Sequence, residues 1–149
     1  MYKCKPTAFI WDIDGVIADS IRDAFKLDFM QGDFSKFEAE IPTFDTFEWA
    51  IEITRLLSKS GKHKLIFITA RNEGYKVATE AWLQAQLKLN RKDYELHMRP
   101  FADRRPDVQL KAEVLPKVLD KYEVLAAFDD NLDNAKLYSY FGIKSLHVL

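Results

Sequence analysis

The stretch Ala8-Phe9-Ile10-Trp11-Asp12-Ile13-Asp14-Gly15 restricts this chain's folding options more than any other. Its first four residues are apolar, aromatic or β-branched, and they predict a short buried strand. Two carboxylates one residue apart follow at once. A glycine comes next, a residue that turns a chain sharply. Acids this close repel each other, and burying them is costly unless each meets a cation. Any fold that keeps this stretch must bring positive charge to the end of its first strand.

Further apolar runs of strand length occur at residues 64–68, 94–98, 124–128 and 145–148. Helical patterns separate them. In residues 45–61, Phe47, Ala50, Ile51, Thr54 and Leu57 share one face, Asp45 and Glu48 have capping-box spacing, and Gly61 marks the end. In residues 74–90, Ala78, Ala81, Trp82, Ala85 and Leu89 recur at helical spacing. Residues 108–122 form a third helical pattern that Pro116 is expected to kink or split. A short fourth ends at Gly142. Strands alternating with helices predict an α/β fold, a doubly wound Rossmann-like parallel sheet of order 3-2-1-4-5 with helices on both faces. At 149 residues, without repeat or linker, one domain over 1–149 is expected.

That order puts the first and fourth strands side by side at the switch point, where ligands of such sheets bind. Asp12 and Asp14 follow the first strand, Thr69-Ala70-Arg71 the second, Arg99 the third, and Asp129-Asp130 the fourth. Both acidic pairs then converge on one crevice. Carboxylates crowded there call for a cation, and oxygen ligands without His or Cys favour Mg2+. Acidic metal ligands beside a hydroxyl (Thr69), arginines (Arg71, Arg99) and a lysine (Lys111) describe a phosphoryl-transfer site. In such a site one carboxylate can attack phosphorus while its neighbour moves the proton.

These motifs, "DIDGV", "FITAR", Lys111 and "FDDN", resemble the four motifs of the haloacid dehalogenase superfamily, in order. The resemblance implies that Asp12 is the nucleophile and a metal ligand. It makes Asp14 the acid/base, with its backbone carbonyl on Mg2+. Thr69 and the backbone N–H of Ala70 would hold the phosphate, and Lys111 would neutralise it. Asp129 and Asp130 would complete the metal site. From Phe67 onward, "TAR", "MRPFADRRPD", Lys111 and "AFDDN" are similar to the 3′-phosphatase domain of phage-type polynucleotide kinases. That likeness adds Arg99, twelve residues before Lys111, as a substrate-binding residue, with Arg71 nearby and Arg22 as a further counterpart. Val16 replaces the threonine common in the first motif, and there is no phosphate-binding Gly-x-x-x-x-Gly-Lys-Ser/Thr loop. Kinase activity is therefore not expected. The gaps after the first and second motifs are too short for a cap domain, which leaves the site open to a DNA or RNA 3′ end.

Net charge is −1, so attraction to nucleic acid would have to come from a local patch. Arg71, Arg99, Arg104, Arg105 and Lys111 supply one. The lone Cys4 excludes an internal disulfide. With no run long enough for a signal peptide or a membrane span, a soluble cytoplasmic protein is expected. A nucleotidase, or another small-molecule phosphatase with the same machinery, is the alternative reading. A phosphorylation-dependent receiver is disfavoured because its reactive Asp belongs after the third strand, where Met98-Arg99 stands. A non-catalytic subunit would have no need of the repulsive pair Asp12 and Asp14. His97 is expected to be a hydrogen-bonded structural residue, and the tryptophans Trp11, Trp49 and Trp82 to be packing residues.

Overall fold

Strands that are apolar on both faces need cover on both faces. The computed structural model describes residues 4–20, 25, 32–33 and 35–149. Its elements are β1 (Thr7–Trp11), β2 (Ala18–Asp19), α1 (Ser35–Glu40), β3 (Asp45–Thr46), α2 (Glu48–Ser60), β4 (His63–Asn72), α3 (Lys76–Leu87), β5 (Tyr94–Arg99), α4 (Asp107–Lys121), β6 (Glu123–Asp129), α5 (Leu132–Tyr140) and β7 (Ser145–His147). Five of the strands form one parallel sheet in the order β5-β4-β1-β6-β7. This is the predicted 3-2-1-4-5 arrangement.

Alternation along each strand divides the core into two layers. Trp11, Leu65 and Phe67 point to one face, where they meet Ala50 and Ile51 of α2 and Trp82, Leu83 and Leu87 of α3. Ala8, Ile10, Ile66 and Ile68 point to the other, against Leu115 and Val118 of α4 and Tyr138 of α5. Trp11 stacks on Phe128 of the neighbouring strand with ring centroids 4.0 Å apart. Trp11 and Trp82 are buried packing residues as expected, and Trp49, 38% exposed, packs at the margin with its ring tilted against Trp11 and Phe128, centroids 6.1 Å apart.

The helices depart from the sequence reading in three places. No capping box forms at the start of α2. Instead Asp45 and Thr46 pair with Asp19 and Ala18, and the Phe47 N–H donates to the Ile17 carbonyl, so the chain enters α2 directly from a strand. The buried stripe of α3 is Thr79, Trp82, Leu83 and Leu87, while Ala81 and Ala85 face outward. Burying two leucines removes more apolar surface from water than burying two alanines, so the larger side chains set the rotation of the helix. Pro116 does not divide α4, which runs as one 15-residue helix through it. The turns at Gly61 and Gly142 take the left-handed conformation, with φ of 64° and 78°.

Between β1 and α2, the described residues hold the β2–β3 ribbon, the helical residue Phe25, α1, a 3-10 turn at Ile41–Thr43 and connecting turns. Between β4 and β5 there is only α3 with short turns. Among the described residues no cap domain follows either strand.

Trp82 joins the two regions, its indole N–H donating to the Phe44 carbonyl at 3.1 Å from a nearly fully buried position. Trp82→Ala is expected to destabilise the fold by about 3–5 kcal/mol, measured by denaturant unfolding.

Candidate active site

The parallel pairing of β1 with β6 sets the central geometry. Trp11 lies opposite Phe128, and the Asp12 N–H donates to the Phe128 carbonyl at 2.9 Å, which brings Asp12 and Asp129 side by side. Asp12, Asp129 and Asp130 each present a carboxylate oxygen within 4.8 Å of the others. Gly15, at φ 78°, passes directly over this group. A Cβ there would lie 2.2 Å from Asp130 Oδ2, so only glycine admits the Asp130 carboxylate.

The balancing charge comes from α4. Lys111 is wholly buried, with its ammonium 2.7 Å from Asp129, 3.1 Å from Asp107 and 3.5 Å from Asp12. Burial alone would depress its pKa, but Asp12, Asp129 and Asp107, with Tyr138, hold it well above the ordinary lysine range. Burial pushes the Asp12 carboxyl well above the usual range, and Asp129, Asp107 and Asp14 push it further against the pull of Lys111. Burial and Asp129 raise Asp130 likewise. Four carboxylates thus face one ammonium, an imbalance that a divalent cation with oxygen ligands would correct. The donor set fits such an ion.

Asp14 does not belong to this cluster through its side chain. Its carboxylate is gripped by Arg71, Nη2 to Oδ1 at 2.6 Å and Nε to Oδ2 at 2.9 Å, and it accepts a hydrogen bond from Ser20 at 2.6 Å. The Arg71 guanidinium is almost fully buried. It also donates to Thr79 and lies over the rings of Phe37, Phe44 and Trp82 at 5.3–5.8 Å. These contacts turn Arg71 inward and make it an anchor for Asp14, in contrast to the substrate-binding role assigned to it from sequence.

Thr69 is buried at the end of β4, where its hydroxyl accepts the Arg71 N–H at 3.1 Å and keeps its own proton to donate. Ala70 is exposed beside it, and its carbonyl accepts the Arg99 Nε–H at 3.1 Å. Arg99 also donates through Nη1 to the Arg105 carbonyl. Arg22 lies outside the described residues. His97 rests 3.3 Å from Glu95 away from the crevice, in the structural role expected of it.

Several participants escaped the sequence reading. Asp107, in the first turn of α4, pairs with Lys111 one turn on, and the i,i+4 spacing was a legible signal. Asn134 is fully buried and donates to both Asp107 and Asp129, while Tyr138 one turn further donates to Asp129 at 3.2 Å. Ser20 had no such signal.

An open parallel sheet with an acid cluster, a buried lysine and a hydroxyl at its switch point defines a phosphatase of the haloacid dehalogenase type. Residues 6–149 match the family described as the polynucleotide kinase PNKP phosphatase domain, and the chain belongs to that family. No curated protein matches the sequence. Among solved structures, a chain of the Pnkp1/Rnl/Hen1 RNA repair complex is similar with a TM-score of 0.76 and 21% identity, over 97% of this chain and 42% of that one. The class C acid phosphatase of Bacillus anthracis is similar at a TM-score of 0.65 and 14% identity, covering 89% of this chain and 55% of that one. A haloacid dehalogenase family enzyme from Bacteroides thetaiotaomicron, solved as a magnesium complex, gives 0.54 and 13% over 95% and 92% of the two chains. This chain spans less than half of the repair-complex chain it resembles.

Gly15→Ala is expected to displace Asp130 and lower divalent-metal affinity about 10- to 100-fold, read by metal titration. Arg71→Ala is expected to cost about 3 kcal/mol of stability, because it strands the half-buried Asp14 charge. Adding Asp14→Asn to that variant should recover at least ~1 kcal/mol in a double-mutant cycle, and strict additivity would count against the anchor.

Proposed function

We propose that this chain is a Mg2+-dependent polynucleotide 3′-phosphatase that works through an aspartyl-phosphate on Asp12. The observation that carries the reading is the triad of distances from Lys111 to Asp12, Asp107 and Asp129. It leaves Asp12 as the one member of the three at the end of β1, beside the open crevice.

In this reading Asp12, Asp129 and Asp130, with the backbone carbonyl of Asp14, would hold Mg2+. The ion supplies charge neutralisation for the phosphate and the acids around it. An Asp12 oxygen attacks phosphorus as the bond from phosphorus to the 3′ oxygen breaks, and Asp14, which enters this step protonated and turned from its ion pair with Arg71, gives its proton to the departing oxygen. Water then attacks the aspartyl-phosphate. Asp14 accepts the water proton, phosphate leaves, and Asp12 is restored. The Arg71 and Ser20 contacts hold the ionised Asp14 that exists between the two proton transfers. Thr69, through its hydroxyl, and Ala70, through its N–H, bind phosphate oxygens, and Lys111 offsets the charge gathered on Asp12 and the phosphate.

Family membership over nearly the whole chain supports a nucleic-acid 3′ end as substrate, as does likeness to a chain of an RNA repair complex. The absence of a cap domain among the described residues accords with a long substrate. Residues 1–149 act in this reading as one catalytic domain. No helix among the described residues is long and apolar enough to cross a membrane, and the exposed free thiol of Cys4 accords with the cytoplasm.

The test is phosphate release from a 3′-phosphorylated oligonucleotide, its 5′-phosphorylated twin, and 3′- and 5′-nucleoside monophosphates, with Mg2+ and with EDTA. Selective, EDTA-sensitive release from the 3′ end is expected. Preference for the monomers would replace this reading with a nucleotidase. Asp12→Asn should abolish turnover with the fold retained, and activity within about tenfold of wild type would rule out the covalent route.

A further inference from the structure

The loop from Pro100 to Pro106 joins the end of β5 to α4, whose first two turns carry Asp107 and Lys111 into the catalytic cluster. It therefore forms one rim of the crevice. At its tip Phe101 is 80% exposed. The surrounding backbone is firmly braced. Asn72 donates to the Phe101 carbonyl at 2.9 Å, the Asp103 N–H to Pro100 at 3.0 Å, and Arg99 to the Arg105 carbonyl at 2.5 Å. Arg105 forks across Asp103 and Glu113, and those bonds draw the Asp103 carboxyl down to about 2. The ring sits over Gly74, where an added Cβ would touch it at 3.7 Å. A large apolar ring is thus held in water by a loop whose other groups are tied down.

Arg104 is the loop's second distinctive residue. Arg71, Arg99 and Arg105 each donate hydrogen bonds to other groups of the protein. Arg104 is exposed and, among the described residues, makes no hydrogen bond or ion pair. β5 stands two strands from β1, about 10 Å across the sheet. That is the scale of a nucleoside lying outward from a phosphate at Asp12.

We propose that this loop is the docking platform for the substrate's terminal nucleoside. In this arrangement Phe101 stacks on the terminal base, and Arg104 pairs with the phosphodiester on its 5′ side. The inference rests on the polynucleotide 3′-phosphatase reading and adds its recognition element. Stacking on an aromatic face tolerates any base, so the platform would read strand ends without regard to sequence.

The experiment uses three substrates: a 3′-phosphorylated oligonucleotide, the same oligonucleotide with an abasic terminal residue, and a nucleoside 3′-monophosphate. Phe101→Ala is expected to lower kcat/KM about tenfold, equivalent to ~1.4 kcal/mol, on the intact end and the monophosphate, and to leave the abasic end unchanged. Phe101→Trp should restore the loss. Arg104→Ala is expected to slow both oligonucleotides about tenfold, spare the monophosphate, and reduce the salt-dependence slope by about 0.7. An equal loss on all three substrates, or none on the intact end, would overturn the platform. Wild-type protein inactive on every 3′-phosphate would instead bring down the underlying reading, and the platform with it.

Discussion

Crowding of carboxylates at two adjacent strand ends is the condition to which the rest of the molecule answers. Because β1 and β6 are neighbours and in register, Asp12, Asp129 and Asp130 cannot avoid one another. Each charge removed from water costs several kcal/mol before any partner is counted. Lys111 therefore sits at full burial, a position a lysine takes only among acids, and Asp107 and Asn134 hold the arrangement from the side. The remaining negative excess is the physical reason for a divalent cation.

Asp14 has the same chemistry as Asp12 and a separate solution. Its partner Arg71 is embedded against Phe37, Phe44 and Trp82, side chains drawn from α1, the segment before β3, and α3. Packing of the region that follows β1 is thereby coupled to the orientation of the acid/base. One acid is joined to a lysine on one face of the sheet, and the other to an arginine on the opposite face. The two carboxylates are kept apart in environment although one residue separates them in sequence. Distinct surroundings are what allow a nucleophile and a proton carrier of identical chemistry to act in different roles.

Among the described residues no cap domain covers the carboxyl ends of the strands. The proposed recognition therefore falls to the loop after β5, which is braced by hydrogen bonds and an ion pair. Of its two arginines Arg105 braces the loop and Arg104 stays exposed, a division invisible in the run Arg104-Arg105 itself.

Sheet order was legible in the chain, and so was the meeting of Asp12 with Asp129 and Asp130, because apolar runs and strand-end position are local properties, whereas Asp107 was not foreseen in the group and Asp14 turned its side chain elsewhere. The glycine after Asp14 and the spacing of Lys111 carried the same kind of local message. Rotation of α3 was misread because periodicity alone does not weigh leucine against alanine, and the capping box failed because Asp45 found a strand partner instead. Partnerships between distant residues belonged to the tertiary structure alone. Arg71 reads as a phosphate-binding arginine beside Thr69, yet the fold gives it Asp14, 57 positions away along the chain, as its partner. Asn134, Tyr138 and Ser20 carry no signal of their role until α5 and the turn after β2 bring them to the acids. Sequence determines which groups must be neutralised, because charge and alternation are written residue by residue. Only the fold decides which cation reaches which acid, because that depends on distances across the sheet.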